Sequence, residues 1–320
     1  MRAVSGLLVD PLDGAYPGVV RIEADRIVSV ERTEAAGGEL RVFPGFVDLQ
    51  VYDPAPLLQV GVTGYLLATR ELVEPPDANC LGLHLEGPFL NPEAAGAIPV
   101  RELTPVDLRA LESWLADGSV RMMTLSPELP GALEAVRLLA ASGAVAGLGH
   151  THANAAVTRA AVDAGARFAT HLWNAVAPLR ARSTGPVAEL LLDERVTLGL
   201  ISDGHHLHPR VEELTVRVAG PGRIALTSDL VEPPAHSPDG KLRGGSVAGA
   251  ALVRRMSRFG LAEAARMSSL VPALVLGLAD RGRLAPGYCA DLAILDSSFR
   301  PLETVCGGES AWTVRYPETT

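Results

Sequence analysis

From residue 44 onward, short apolar segments alternate with longer segments of helical period, and this alternation restricts the possible folds more than any other feature. Short β-branched or apolar runs predict strands, and the Ala/Leu/Glu/Arg segments between them predict amphipathic helices. The predicted strands are GFVDLQV (45–51), GYLLAT (64–69), LGLHLE (81–86), VRMMTLS (120–126), AVAGLGH (144–150), RFATHL (167–172), TLGLIS (197–202) and RIALTSD (223–229). Eight such units favour an α/β fold in which a parallel sheet closes into a (β/α)8 barrel.

Three of the predicted helices have recognisable start signals. They begin near Thr104, Pro130 and Asn154, and two of them end at glycine. The first connection is different, because YDPAPLLQVGVT leaves room only for a shortened helix between the first two strands. We therefore expect one wall of the barrel to be distorted.

The two ends of the chain have a different pattern from the middle. Residues 1–43 are typical of short strands joined by turns, and residues 282–296 predict a further pair of strands. We predict that residues 1–43 and 279–320 form one small β-domain beside a barrel of residues 44–278.

Composition excludes several classes of protein. The 320 residues are 48% hydrophobic, which supplies a sizeable core, and the net charge is −9 without a block of like charge. Nucleic acid is therefore not an expected partner. No stretch reaches the roughly 18 uninterrupted apolar residues of a membrane span, and three scattered cysteines do not form a disulfide framework. These features predict a cytoplasmic protein that does not bind membranes.

Histidines and carboxylates collect at the predicted strand ends. Polar residues at the C-terminal ends of barrel strands face the active site. Glu86, His150 and His171 would make a set of one oxygen and two nitrogen ligands suited to Zn(II) or Fe(II). Asp229, at the tip of the last strand, is placed to transfer a proton from a water activated by the metal.

Spacing alone leaves alternatives open. His84 shares a strand face with Glu86 and is a candidate in place of Glu86 or His150, and His152 is a candidate in place of His150. Asp229 alternatively caps a turn.

The order of four segments carries a resemblance to a known family. GLHLEGPFLNP (82–92), GLGHTHANAAVTRAAVDAGARFATHLWNAVAPL (147–179), ISDGHHLHP (201–209) and LTSD (226–229) resemble the N-acetylglucosamine-6-phosphate deacetylases of the amidohydrolase superfamily. The resemblance extends from PGFVD (44–48) to GRLAPGYCADLAILD (282–296).

The resemblance implies a distorted (β/α)8 barrel with a small β-sandwich domain built from both termini. It implies one divalent metal, zinc in preference to iron, on Glu86, His150 and His171, with hydroxide on the metal as nucleophile and Asp229 as general base and acid. The implied substrate is a small amino-sugar phosphate, and the implied assembly is a homodimer. The positions that the resemblance assigns to the sugar phosphate and its hydroxyls are Asn174, the backbone amide of Ala175, Arg182 and His206.

The chain departs from the family pattern in three respects. Ile98 stands where the family has a histidine that polarises the amide carbonyl. The first strand carries Gln50 where a ligand of a second metal would lie and continues with Tyr52-Asp53, where the family has Asn-Gly or His-Gly. The chain is also shorter than most relatives. Two alternative functions follow: an amidohydrolase for another N-acyl or cyclic amide, and a catalytically silent protein that binds a sugar phosphate.

Overall fold

A computed structural model of the chain describes residues 1–34, 39–233 and 242–314. Parts of both predicted domains, residues 35–38, 234–241 and 315–320, lie outside the described residues. The chain divides into two compact units. Unit 1 comprises Met1–Asp48, Pro54–Tyr65 and Val247–Thr320, and unit 2 comprises Leu49–Asp53 and Leu66–Ser246.

The first sheet combines strands from both ends of the chain. Its strands are β1 (Arg2–Asp10), β2 (Gly14–Glu23), β3 (Arg26–Arg32), β4 (Arg41–Pro44), β13 (Leu292–Leu295), β14 (Pro301–Cys306) and β15 (Glu309–Thr313). Their order is β15-β14-β13-β4-β1-β2-β3. The β1–β4 pair is parallel and the β4–β13 pair antiparallel, so the sheet is mixed. The predicted fold class is confirmed in this part, because strands from both termini form one separate sheet, while the domain bounds of 1–43 with 279–320 and of 44–278 stay predictions.

The second sheet is a nearly closed barrel of eight strands in sequential order. Its strands are β5 (Phe46–Val51), β6 (Val62–Thr69), β7 (Cys80–Glu86), β8 (Val120–Leu125), β9 (Val145–Leu148), β10 (Phe168–Ala169), β11 (Thr197–Leu200) and β12 (Ile224–Leu226). Neighbours from β7 to β12 pair in parallel. The predicted fold class is confirmed, because all eight predicted strands are present in this order.

Helices connect most of the barrel strands. The α-helices are α1 (Leu108–Leu115), α2 (Ala132–Ser142), α3 (Ala155–Ala164), α4 (Gly185–Leu192), α5 (Pro209–Ala219), α6 (Ala250–Met256), α7 (Leu261–Ala265) and α8 (Val271–Val275). Short 3₁₀ turns cover Leu57–Val60, Pro92–Ala94, Val100–Glu102, Pro221–Arg223 and Ser257–Phe259, and one π-helical turn covers Arg266–Leu270. No described helix is both long enough and apolar enough to cross a bilayer.

A side-chain cap explains the predicted start of α3. The Asn154 side chain accepts a hydrogen bond from the backbone amide of Val157, which ties the first turn of α3. Asp107 caps α1 in the same way, so this helix begins at Leu108, four residues after the predicted start near Thr104. The α3 helix then ends at Gly165, as the sequence predicts.

Two connections of the barrel lack an α-helix. The connection after the first strand is shortened as predicted, since Leu57–Val60 is a single 3₁₀ turn. The connection of residues 70–79, between β6 and β7, has no helix either. The strand pair predicted over 282–296 is only half right: β13 is the strand there, and it pairs with β14 further along the chain.

Several barrel strands are shorter than predicted at their C-terminal ends. Strand β9 ends at Leu148 and β10 at Ala169, so His150 and His171 each lie two residues beyond a strand. Asp229 lies three residues beyond the end of β12. Its backbone amide nevertheless bonds to the Gln50 carbonyl at 2.9 Å, and Val51 pairs in parallel with Leu230, which joins the first strand to the segment after the last.

A buried carboxylate secures the end of β1. Asp10 is 0% exposed and accepts hydrogen bonds from the backbone amides of Leu12 (2.9 Å), Asp13 (3.0 Å) and Leu284 (2.9 Å). The guanidinium of Arg283 approaches the same carboxylate at 2.9 Å. This network connects the N-terminal strand to the chain immediately before β13.

We expect Asp10→Ala to lower the free energy of unfolding by about 3–5 kcal/mol, because the substitution leaves three backbone amides without their acceptor and removes the buried one of the two carboxylates that contact the Arg283 guanidinium. The matched control is Asp13→Ala, which removes a carboxylate that contacts the same arginine but is 51% exposed. For the control we expect a loss below about 1 kcal/mol. Urea denaturation of the two variants measures both values, and equal losses would contradict the proposed anchor.

Candidate active site

Glu86, His150 and His171 converge at the C-terminal end of the barrel. Glu86 is the last residue of β7, and the two histidines follow β9 and β10. Glu86 Oε1 lies 3.1 Å from His150 Nε2 and 2.9 Å from His171 Nε2, and the two Nε2 atoms are 3.2 Å apart. All three residues are buried, and one candidate ligand atom from each lies within 4.8 Å of the others.

Four residues of this region have positive φ angles, which residues other than glycine disfavour. His150 (φ 49°), His171 (φ 30°), Ala175 (φ 53°) and Asp229 (φ 50°) all lie in the left-handed region. Each such residue costs on the order of 1–3 kcal/mol and persists only where the surrounding structure determines it. The strain occurs where these chain segments turn out of the strands, and it is typical of a functional site.

The donor set fits a divalent cation. His150 Nδ1 lies 2.9 Å from the Ala94 carbonyl oxygen, which only accepts, so Nδ1 carries a proton and Nε2, which faces Glu86, is the nitrogen that a cation would use. His171 Nδ1 is buried, and the described residues offer it no hydrogen-bond partner. One carboxylate and two imidazoles are ligands that Zn(II) and Fe(II) both accept.

The structure separates the two alternative histidines from this cluster. His84 is fully buried, with Nδ1 2.8 Å from the Leu49 carbonyl and Nε2 2.7 Å from the Thr124 hydroxyl, so both ring nitrogens are used. Burial lowers the pKa of His84, which keeps the ring neutral. His152 has a side chain that is 43% exposed and lies 3.6 Å from Glu93. Neither residue joins Glu86 in a cluster of ligand atoms within the described parts of the chain.

Two side chains of strand β5 and its extension hold Glu86 from the other side. Gln50 Nε2 donates to Glu86 Oε1 at 2.8 Å and to Asp229 Oδ1 at 2.9 Å. The Tyr52 hydroxyl donates to Glu86 Oε2. From the sequence alone, Tyr52 is only a departure from the family pattern. Its spacing of two residues from Gln50, which puts both side chains on one strand face, was the available signal.

The electrostatics of the cluster favour a charged carboxylate. Burial acts to raise the pKa of Glu86, but hydrogen bonds and charge from His150 and His171 outweigh it and hold the pKa well below its usual range. Burial likewise opposes protonation of His150, yet the Glu86 carboxylate raises the pKa of that ring. The site therefore presents a negative charge between two imidazoles.

A cavity of about 660 Å³ opens onto this cluster. Its walls include most of the predicted site residues: Glu86, Ile98, His150, His171, Asn174, Ala175, His206 and Asp229. Tyr52, Arg70 and Arg243 also line it, although sequence reasoning did not select them as site residues. Every lining residue belongs to unit 2.

Arg182 is the predicted site residue that the structure places elsewhere. It is exposed, and it occupies a tight turn in which Arg180 and Ser183 exchange two backbone hydrogen bonds of 3.2 Å. It is not among the residues that line the cavity within the described chain.

His206 is oriented by a nearby carboxylate. Asp203 accepts hydrogen bonds from the backbone amides of His205 (2.8 Å) and His206 (2.9 Å) and from His206 Nδ1 (2.9 Å). Burial acts to raise the pKa of Asp203, but these hydrogen bonds outweigh it and lower the pKa to about 2. The contact fixes the orientation of the imidazole, with Nδ1 as the donor to Asp203.

This lowered pKa predicts a specific dependence of stability on acid. Because the folded pKa of Asp203 lies below the unfolded value of 3.8, its contribution of about 2 kcal/mol is present above about pH 4 and disappears as the pH falls toward 2. We expect Asp203→Asn to be less stable at neutral pH and to lack this part of the acid-induced loss. Denaturant unfolding at several pH values measures it, and parallel pH profiles of the two proteins would contradict the prediction.

Comparisons with known proteins agree with this geometry. Residues 135–305, more than half of the chain, match the profile described as "Amidohydrolase family". The N-acetylglucosamine-6-phosphate deacetylase of Lysinibacillus sphaericus is 28% identical over 87% of this chain and 87% of its own length. The N-acetylgalactosamine-6-phosphate deacetylase of Escherichia coli O157:H7 is 34% identical over 80% of this chain and 75% of its own length.

Solved structures extend the similarity to the fold. The N-acetylglucosamine-6-phosphate deacetylase of Thermotoga maritima is 28% identical with a TM-score of 0.89, covering 98% of this chain and 100% of that one. A mutant of the Mycobacterium smegmatis deacetylase, in complex with N-acetyl-D-glucosamine-6-phosphate, is 26% identical with a TM-score of 0.88, covering 96% and 98% of the two chains. The chain therefore belongs to the amidohydrolase family and, within it, to the N-acetylglucosamine-6-phosphate deacetylases, which are hydrolases.

Proposed function

We propose that this protein hydrolyses the acetamide of N-acetylglucosamine 6-phosphate to glucosamine 6-phosphate and acetate. The observation that carries the proposal is the cluster of Glu86, His150 and His171 joined through Gln50 to Asp229 in a cavity of the deacetylase fold. The similar proteins named for N-acetylglucosamine 6-phosphate or N-acetylgalactosamine 6-phosphate make a phosphorylated N-acetyl sugar the substrate class to test first.

Glu86, His150 and His171 would hold one divalent cation, zinc in preference to iron. A bound cation of this kind lowers the pKa of water, which makes hydroxide available at neutral pH. Gln50 argues for one cation and against two. A second cation would need a ligand at this position, whereas the neutral carboxamide of Gln50 donates hydrogen bonds to both Glu86 and Asp229.

Asp229 is the residue we assign to proton transfer. Its carboxylate lines the cavity, and Gln50 Nε2 holds Oδ1 at 2.9 Å. In the proposed reaction Asp229 accepts a proton from the attacking water as the bond from oxygen to the acyl carbon forms. It returns that proton to the amine nitrogen as the carbon–nitrogen bond breaks, so the products are acetate and the free amino sugar.

Asn174, Ala175 and His206 are proposed to contact the sugar and its phosphate. All three line the cavity, and the Asp203 contact holds the His206 ring in place. Arg182 lies on an exposed turn, so its assignment to the phosphate depends on the proposed homodimer, in which the turn of one subunit would reach the cavity of the other. A guanidinium suits this role because its planar fork binds phosphate oxygens in pairs.

Ile98 supplies no donor to the acyl carbonyl. Its side chain lines the cavity and is 8% exposed, and it replaces a polar group that the resemblance leads us to expect.

The two alternative functions, another amide substrate or a silent sugar-phosphate binder, are not favoured by the deacetylases to which the chain is similar. A cytoplasmic location stays a prediction.

The proposed function is tested by acetate release together with elemental analysis of the metal. We expect close to one zinc per chain and acetate from N-acetylglucosamine 6-phosphate, with the galactosamine isomer as the comparison. Asp229→Asn should lower kcat by a factor of about 10²–10⁴ with an unchanged metal content, since it removes the proton carrier. No acetate from a metal-loaded enzyme would refute the substrate, and full activity of the variant would refute the role of Asp229.

Arg182→Ala tests the phosphate assignment separately. We expect KM for the phosphorylated sugar to rise by about 10- to 100-fold with kcat little changed, because a charge-assisted contact is lost. KM for the sugar without phosphate should not change. Arg180→Ala is the matched control, since it removes an exposed arginine from the same turn. If both variants behave alike, Arg182 has no specific part in binding the phosphate.

A further inference from the structure

The Tyr52 hydroxyl has no part in the reaction as proposed above, yet it contacts the central carboxylate of the site. It donates to Glu86 Oε2, while Oε1 of the same carboxylate faces the Nε2 atoms of His150 and His171. The ring is half-buried and lines the cavity. The two oxygens of Glu86 thus have different partners.

We propose that Tyr52 is a positioning residue that orients Glu86 for the cation. The inference rests on the proposed cation site. The terminal torsion of a glutamate is broad, so a carboxylate held by one oxygen still rotates. A donor on Oε2 removes this freedom and keeps Oε1 directed at the two imidazoles. Partners that hold metal ligands in this way commonly determine affinity for the metal.

The backbone delivers the phenol rigidly. The amides of Tyr52 and Asp53 both bond to the Leu230 carbonyl, at 2.8 and 2.9 Å. This pairing extends the edge of β5 beyond its last residue and fixes the direction of the Tyr52 side chain. The backbone pairing with Leu230 therefore holds the Tyr52 hydroxyl beside Glu86 without help from a bound cation.

Tyr52 and Gln50 act on the same carboxylate in different ways. Gln50 Nε2 divides its hydrogen bonds between Glu86 and Asp229, so its removal would disturb the proton carrier as well. Among the described side chains of the site, the Tyr52 hydroxyl forms a hydrogen bond with Glu86 alone. Both donors are neutral, so their hydrogen bonds to Glu86 leave the negative charge of the carboxylate available to a cation. Removal of the Tyr52 hydroxyl therefore tests the orientation of Glu86 without disturbing Asp229.

The test is the affinity of Tyr52→Phe for Zn(II), measured by competition with a chromophoric chelator. We expect affinity to fall by about 10- to 100-fold, since only the oriented form of Glu86 completes the site. The visible spectrum of the Co(II)-substituted protein should also change, because the ligand geometry changes. Tyr16→Phe, which removes the same hydroxyl from strand β2 of unit 1, should leave both measurements unchanged.

A second variant covers the case in which Tyr52→Phe does not fold. Tyr52→Leu also lacks the hydroxyl and puts no other hydrogen-bond donor in its place. We expect it to bind Zn(II) as weakly as Tyr52→Phe. Melting of the metal-free proteins shows which variant is folded.

Unchanged Zn(II) affinity in a folded variant would overturn the proposal. If kcat falls at the same time, and falls less for an activated N-trifluoroacetyl substrate than for the acetyl one, the hydroxyl acts on the acyl oxygen and is not a positioning group. Metal affinity does not depend on the identity of the substrate. Weakened Zn(II) binding in a protein that releases no acetate would therefore refute the proposed substrate and leave the role of Tyr52 supported.

Discussion

The carboxylate of Glu86 is 3% exposed, and a charge removed from water must be compensated by the protein around it. Four side chains provide this compensation: Gln50 and Tyr52 donate hydrogen bonds, and His150 and His171 approach with ring nitrogens. They come from three separate parts of the barrel rim. The charge of Glu86 is therefore compensated only when those strand ends are in their native register, which couples the formation of the site to the closure of the sheet.

The geometry around this carboxylate is maintained at a cost in backbone energy. His150, His171 and Asp229 adopt left-handed conformations that non-glycine residues avoid. Hydrogen bonds from neighbouring strands hold these turns, such as the amide of Asp229 on the Gln50 carbonyl and the amide of Thr170 on the Leu148 carbonyl. The protein thus spends part of its folding energy to place reactive groups before a substrate arrives, which reduces the reorganisation needed for the reaction.

The wall of the cavity combines apolar and charged groups. Ile98 puts an apolar surface against the cavity, and Arg70, paired with Glu102 at 2.6 Å, lines the same cavity. The connections after β5 and β6 are short, so the cavity wall there is formed by strand ends such as Tyr52 and Arg70. The two connections without an α-helix and the Ile98 segment therefore follow three neighbouring strands, β5, β6 and β7.

Local pattern was enough to identify the order of the eight strands, the start of α3 at Asn154, and the convergence of polar residues at the strand ends. These features depend on spacing along the chain, which hydrophobic period and capping chemistry encode directly. Period alone does not distinguish His84 from Glu86, because residues two apart share a strand face. Nor does it show that β9 and β10 end before His150 and His171, since the turns that follow are held by contacts from other strands.

Tertiary structure decided the remaining questions. It directed both ring nitrogens of His84 to Leu49 and Thr124 and brought the Tyr52 hydroxyl to Glu86. It also placed Arg182 on an exposed turn away from the cavity lining. Each outcome depends on how segments tens of residues apart meet when the sheet closes. The sequence thus determined which groups are available at the barrel rim, and packing across the closed sheet determined which of them face one another.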